Sequence, residues 1–288
     1  MGALQFAALA PAAVASVGVR APADAPTVWL ATPLYLAAGL TTLHLDRRSI
    51  LRLASAELAS LTADFNRTFE GSGFTLVSLE SGEALLFAAE GQLANTVEPA
   101  RIVGEDVAKA LPDGAGASAL RRLGAEMELW LHDHPLNRGR AARGESPVST
   151  LWIWGGSRVE HLESQTASVR QAVVAFGSDS TLNGFARLAG LECHPLPDTL
   201  ERALGYSAGA NLLIAMEVGP VLRANSRWTL VDAMAELDRR FLEPAIRAVR
   251  RGHLGQATLI ANDRRLVYGS RDHLRLWRRP RAGFEALR

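Results

Sequence analysis

The chain has 288 residues, of which 48% are hydrophobic and 21% charged, and its formal net charge is +1. That length supports one large domain or two closely joined ones, while the balanced charge argues against a global nucleic-acid or acidic-polymer surface. No run reaches the roughly 18 to 20 uninterrupted apolar residues that a membrane helix requires. Cys193 is the sole cysteine, which excludes an intramolecular disulfide and a cysteine zinc site and fits a reducing, cytoplasmic setting. Lys109 is the only lysine, so arginine carries nearly all positive charge and arginine-rich stretches deserve discounting.

In chain order, residues 1–26 are rich in alanine and proline and read as a loose N-terminus; they lack the basic start of a signal peptide. Residues 28–36 and 40–45 read as strands. Residues 49–69 place Leu51, Leu53, Leu58, Leu61 and Phe65 near helical spacing, and 74–79 with 83–88 form a hairpin across Glu80-Ser81-Gly82. A second helix spans 118–132. It should end near His134, because the residue before Pro135 is pushed from helical angles. These elements predict an α+β subdomain over 27–133.

Residues 134–157 hold the densest cluster of polar groups. Asn137 reads as the N-cap of a short helix and Gly144 as its stop. Asn137, Arg140 and Gly144 recur at three- and four-residue spacing and so share a face, with His134 at its entrance. The apolar, β-branched and aromatic run 148–154 fits a strand buried on both sides, followed by Gly155-Gly156-Ser157, where backbone can approach a ligand. Imidazole, carboxamide, guanidinium and glycine amides suit a phosphate or carboxylate. The ligand-binding set expected is therefore His134, Asn137, Arg140, Gly155 and Gly156. The plainer alternative has Asn137 only capping, the glycines only turning and the arginines solvated.

Beyond 148 the pattern alternates: strand 173–176, helix 182–189, strand 191–194, strand 212–217, a long helix from 229 to about 250, and strand 257–261. Such alternation predicts an α/β subdomain over 134–288 with a parallel-rich sheet flanked by helices. Residues 264–281 read as twisted, basic strands. Arg271, Arg275 and Arg278 there are expected to serve solubility and edge protection rather than nucleic-acid binding.

The pattern His-Pro-Leu-Asn-x-x-Arg-x-x-x-Gly at 134–144, followed by Pro-Val-Ser and Trp-Gly-Gly, resembles archaeal-type cofactor-independent phosphoglycerate mutases of the alkaline phosphatase superfamily. It is closer still to RpfE-type bacterial regulatory proteins, mutase-like chains of similar length. His134, Asn137, Arg140, Gly144 and Gly155 match, and the likeness extends through Gly184-Phe185-Ala186-Arg187 and Gly190-Leu191; Ser149 and Trp154 stand where mutases more usually show asparagine and arginine. The resemblance implies an α/β fold and, in the mutases, phosphoryl transfer by two divalent metals, which need clustered aspartate and histidine ligands. Here the family's Asp-x-x-Gly-His-Asp segment falls on Gly219-Pro220-Val221-Leu222-Arg223-Ala224, and its Gly-Asp-His on Asn262-Asp263-Arg264. The resemblance therefore implies a truncated, metal-free regulatory or small-anion-binding protein without catalytic residues or cofactor.

Two other classes compete. One is an active mutase or phosphohydrolase with a relocated site; the other is an interaction module using the basic C-terminus, its protein partner unknown. Gly205-Tyr206-Ser207-Ala208-Gly209 fits the hydrolase pattern G-x-S-x-G, but lies in a helix–turn–strand order rather than the strand–turn–helix a nucleophile elbow needs. His132, Asp133 and His134 lack an assignable third partner for a metal.

Overall fold

The computed structural model describes residues 10–39, 43–89, 91, 93–159, 172–206, 211–224, 227–261 and 264–271. The elements in chain order are α1 (Pro11–Ala15), β1 (Thr27–Leu34), β2 (Ala37–Ala38), β3 (Leu43–His44), α2 (Ser55–Thr68), β4 (Phe74–Ser78), β5 (Ala84–Ala88), α3 (Ala117–His132), α4 (Pro135–Ala142) and β6 (Thr150–Arg158). They continue with β7 (Val173–Phe176), α5 (Ser180–Ala189), β8 (Glu192–His194), α6 (Leu200–Tyr206), β9 (Asn211–Ile214), α7 (Val218–Ala224), α8 (Leu230–Leu237), α9 (Glu243–Arg250), β10 (Gln256–Ala261) and β11 (Arg264–Gly269). The mixed α/β class expected from the sequence is what the chain adopts. Among the described residues, parallel pairing is found in a three-stranded sheet in the order β8-β7-β9, and a four-stranded sheet in the order β4-β5-β1-β6 is antiparallel.

The buried strand read from 148–154 exists, but it joins the antiparallel sheet, pairing with β1 from Thr27↔Arg158 to Leu34↔Thr150. Every residue of β1 is buried. Side chains alternate across a strand, so Trp29 and Ala31 enter a core with Leu58, Leu61 and Phe65 of α2 and Leu120, Leu123 and Met127 of α3. Val28 and Leu30 enter the opposite core with Leu85, Phe87, Ala12 and Ala15. Covering on both faces removes the polar–apolar alternation that marks a one-sided antiparallel strand, and this is why β6 read as part of a parallel sheet.

Three local expectations shift. The helix predicted from 49 starts at Ser55, because Leu51 N donates to Pro33 O and Leu53 N to Gly82 O, so these leucines border the sheet instead of opening a helix. The long helix over 229–250 carries a π-helical turn at Asp238–Leu242 between α8 and α9. Pro244 follows it, and a proline lacks the N–H and clashes with the carbonyl four residues back, which widens the ladder. The third concerns the N-terminus, of which residues 1–9 lie outside the described set. Pro11–Ala15 form a helical turn with Ala12, Ala13, Val14 and Ala15 buried, packed where Gly184 admits the Val14 carbonyl: a Cβ on Gly184 would sit 1.8 Å from that oxygen.

Contacts divide the chain into two compact units, one of Met1–Leu196 with Gly209–Ser226 and the other of Pro197–Ala208 with Arg227–Arg288. This division does not coincide with the boundary expected between 133 and 134, because β6 is bonded to β1. The first unit holds both larger sheets. The second packs Leu200, Ala203, Ala233, Leu237, Phe241 and Val249 into its own core, with β10 and β11 as an antiparallel ribbon. Among the described residues, no helix is long and apolar enough to cross a membrane.

Candidate functional site

The segment that carries the mutase resemblance begins where α3 ends. Proline suits the first helical position, since its missing N–H has no intrahelical partner there. Pro135 accordingly opens α4, and the N-cap is His134, not Asn137: Nδ1 of His134 accepts from Leu136 N at 3.2 Å. Its other ring nitrogen, Nε2, lies 3.4 Å from Asp64 Oδ2, and the ring stands edge-on to Trp130 at 4.6 Å. Burial lowers the His134 pKa, Asp64 opposes that and Arg138 reinforces it. The net lowering favours the neutral ring with Nδ1 as acceptor. At the far end of α4, Gly144 takes a φ of +72° just past the last turn, as expected of a helix stop.

Asn137 is freed from capping and used otherwise. Its Nδ2 donates to Leu131 O at 2.7 Å and Val148 O at 2.9 Å, while its Oδ1 accepts from Val148 N at 2.8 Å. The carboxamide thus bonds both main-chain groups of Val148 as a neighbouring strand would. Arg140, 7% exposed, donates from Nε to Ser146 O at 2.8 Å and from Nη1 to Glu57 Oε2 at 3.0 Å, with Glu145 at 3.3 Å. Arg143, half-exposed, also pairs with Glu57 and Glu145. The three residues do gather on one side of α4, as their spacing predicted, but that side faces the protein.

The two glycines are not brought to this cluster. Gly155 lies seven residues beyond Val148 along an extended segment, a span of roughly 23 Å at the rise of a strand. Its N–H donates to Thr96 Oγ1 at 3.1 Å. A Cβ on Gly155, at φ +68°, would meet Pro11, and one on Gly156 would fall 2.2 Å from Trp29 Nε1. Both glycines make room for packed neighbours instead of a ligand. The expected anion pocket grouped His134, Asn137, Arg140, Gly155 and Gly156; its three polar members are engaged in internal bonds, while Gly155 and Gly156 pack against Pro11 and Trp29.

Stability should report the difference. Arg140→Ala strips a buried partner from Glu57 and a donor from Ser146 O, and should cost about 2–4 kcal/mol of unfolding free energy. Arg143→Ala, on a more exposed pair, should cost less than about 1 kcal/mol. Urea denaturation of both variants checks this; an unchanged midpoint for Arg140→Ala would restore the open-pocket reading.

The other sequence candidates disperse. Gly205 and Tyr206 end α6, while Ser207, Ala208 and Gly209 lie outside the described residues, as do Asp263, Arg275 and Arg278; Arg271 is exposed. The aligned segment Gly219–Ala224 lies within α7 and contains no metal-ligating side chain. Among the described residues, no group of three or more His, Cys, Asp or Glu is placed to hold a metal ion.

A second polar cluster, which sequence reading missed, sits at the carboxyl ends of β7 and β9. The sheet order reverses there, the place where open α/β sheets usually bind ligands. Glu83, 4% exposed, accepts from Thr32 Oγ1 and from Ser180 Oγ, each at 2.9 Å. Arg52 Nη1 lies 2.6 Å from Glu83 Oε2, and Nη2 donates to Glu217 Oε2 at 3.1 Å. Trp154 Nε1 completes the chain by donating to Thr32 Oγ1 at 2.9 Å. Burial alone would lower the Arg52 pKa, but Glu83 and Glu217 outweigh it and raise the value. Asp179, which caps α5 by accepting from Leu182 N at 2.9 Å, has a raised pKa, chiefly from burial; the Leu182 bond opposes this, Glu83 and Glu217 add to it, and Arg52 opposes it.

This arrangement holds atoms in place more than it activates them. Ser180 donates a hydrogen bond to Glu83, a carboxylate already paired with Arg52, so Glu83 is not a free base that would make the hydroxyl a nucleophile. The guanidinium occupies the space between Glu83 and Glu217 that a divalent cation would need, and the donors present do not fit the two-metal centre of the mutases. Positions 32, 52, 83, 179, 180 and 217 are too scattered to form a motif; only Asp179-Ser180 ahead of a helical pattern gives a local signal, that of a cap.

No family model matches the chain. Over 123 residues it is 28% identical to a Geobacter sulfurreducens protein described as "probable 2,3-bisphosphoglycerate-independent phosphoglycerate mutase", a match covering 42% of this chain and 30% of that protein. Less than a third of the relative's length is thus spanned. Among solved structures, a cofactor-independent phosphoglycerate mutase from Thermoplasma acidophilum aligns with a TM-score of 0.40 at 16% identity, covering 80% of this chain and 64% of that one. A Pyrococcus horikoshii protein aligns at 0.35 and 11% identity, covering 71% and 50%. These structural likenesses are too distant to carry an argument. The sequence match establishes a weak similarity to cofactor-independent phosphoglycerate mutases.

Proposed function

We propose that the chain is a phosphoglycerate-mutase-like scaffold with a non-catalytic, regulatory role, related to the RpfE-type proteins. The observation that supports this most directly is how the motif of 134–144 is spent. His134, Asn137 and Arg140 clasp α4 to α2 and to the approach to β6 through Asp64, Val148 and Glu57. A likeness carried by clasp residues reports a shared scaffold and transfers no chemistry. On this reading a small anion, if one binds, does so away from α4.

Purified chain is expected to show no phosphoglycerate mutase turnover with added manganese and no stoichiometric pair of divalent metals by elemental analysis. Two bound metals with turnover would overturn the proposal. The competing reading, an enzyme with a relocated site, draws on the position of Arg52, Glu83, Asp179, Ser180 and Glu217 at the sheet's carboxyl edge. Phosphatase activity abolished by Ser180→Ala in a folded variant would favour it.

A further inference from the structure

His134 is 5% exposed, and both of its ring nitrogens are engaged. Nδ1 accepts from Leu136 N at 3.2 Å and so caps α4, while Nε2 lies 3.4 Å from Asp64 Oδ2 on α2. A neutral imidazole carries one N–H and one lone pair, so these contacts assign the proton to Nε2 and the lone pair to Nδ1. Imidazolium carries an N–H on both nitrogens. Whichever way the ring turns, a charged His134 sets an N–H against the N–H of Leu136, and the cap is lost. The ring cannot swing out to water without leaving Trp130, whose ring centre is 4.6 Å away and which itself meets Phe65 and Phe69 edge-on.

The charged groups acting on the ring are Asp64 from α2 and Arg138 from α4. From α3 the ring meets the uncharged Trp130, and His132 at the end of that helix is exposed, as is Asp133 beyond it. Asp64 favours imidazolium, but its Oδ1 is already paired with Arg67, and Arg138 opposes a second positive charge. The cap is also joined to the clasp. Asn137 stands in the first turn of α4, its main-chain N–H donating to His134 O at 3.0 Å, so loosening that turn draws its carboxamide away from Val148.

We propose that His134 is a proton-operated latch: uptake of a solvent proton at Nδ1 in mild acid releases the first turn of α4 from α2 and from Val148, while the surrounding unit stays folded. The latch does not rest on the regulatory reading, which mutase turnover tests separately. Burial is the largest influence on the closed ring and holds its pKa below the ordinary histidine value of 6.5. The released ring returns to that ordinary value. Opening is therefore suppressed above about pH 6.5 and grows as the pH falls below it, by up to about tenfold per pH unit for one proton. The growth levels off once the pH drops below the closed ring's own pKa.

The test is amide hydrogen exchange on the full chain, read by mass spectrometry as protection factors between about pH 7.5 and pH 5. Protection of residues 136–140 is expected to be constant above about pH 6.5 and to fall by up to about tenfold per unit below it, with β1 and β5 unchanged. His134→Asn should keep protection constant throughout, since asparagine caps with an oxygen that does not titrate. The native His134 imidazole, followed by NMR, should titrate below about pH 6.5. A constant native profile for 136–140, an equal fall in β1 and β5, a fall retained in His134→Asn, or titration at or above about pH 6.5 would each overturn the proposal. Should the variant not fold, the native profile and the NMR titration decide the matter between them.

Discussion

Asn137→Ala should lower the unfolding free energy by about 3–5 kcal/mol, far above the ~1 kcal/mol expected of a lost helix cap. The reason is the bond inventory. One carboxamide bonds Leu131 O, Val148 O and Val148 N, and alanine takes these partners from both main-chain groups of Val148 in a buried place, each at the cost of an unmet polar group, while Leu131 O keeps the bond from His134 N at 3.2 Å. Asn137→Asp separates geometry from charge: it keeps the acceptor for Val148 N but loses the donors to Leu131 O and Val148 O, and sets a negative charge against those carbonyls. It should therefore be no more stable than the alanine variant at neutral pH. Chemical denaturation of both proteins measures this, and a loss near 1 kcal/mol would return Asn137 to the role of a simple cap.

Arg52→Met is expected to be comparably severe, at about 3–5 kcal/mol, because it strands Glu83 without its countercharge. Thr32 and Ser180 would still donate to Glu83, but two hydroxyls do not neutralise a carboxylate that is 4% exposed. Glu217 and Asp179 would then face Glu83 with no cation between them. Adding Glu83→Gln to Arg52→Met should recover a large part of the loss, since an amide needs no countercharge: its oxygen accepts from one of the two hydroxyls and its NH2 donates to the other, which turns to accept. A double-mutant cycle by urea denaturation gives the coupling. Additive losses would mean that Arg52 contributes through packing of its aliphatic stem instead of through the ion pair.

Both predictions concern residues whose importance was differently visible. Asn137 and Arg140 could be singled out from spacing alone, and their shared side of α4 was legible because helical periodicity is local. Whether that side met solvent or protein was not local. It depends on Glu57 of α2, more than eighty residues earlier in the chain, and on Val148 reaching back beside α4. The N-cap, by contrast, is decided locally: asparagine is the stronger capping residue by preference, yet Pro135 fixes the helix start and leaves the cap to His134.

The sequence by itself determined the mixed α/β class, the β4–β5 hairpin, α3 and the strand–helix–strand order of β7, α5 and β8, since each rests on periodicity and turn chemistry within a short window. It also marked Gly144 as a stop, because only that backbone conformation ends the helix cheaply. Tertiary structure alone decided that β6 pairs antiparallel with β1, that Gly155 and Gly156 yield to Pro11 and Trp29, and that Arg52, Glu83 and Glu217 meet. The physical reason is common to all three. A strand buried on both faces, a glycine pressed by a distant side chain and a buried charge each owe their environment to partners far away in sequence, and no window of neighbouring residues contains those partners.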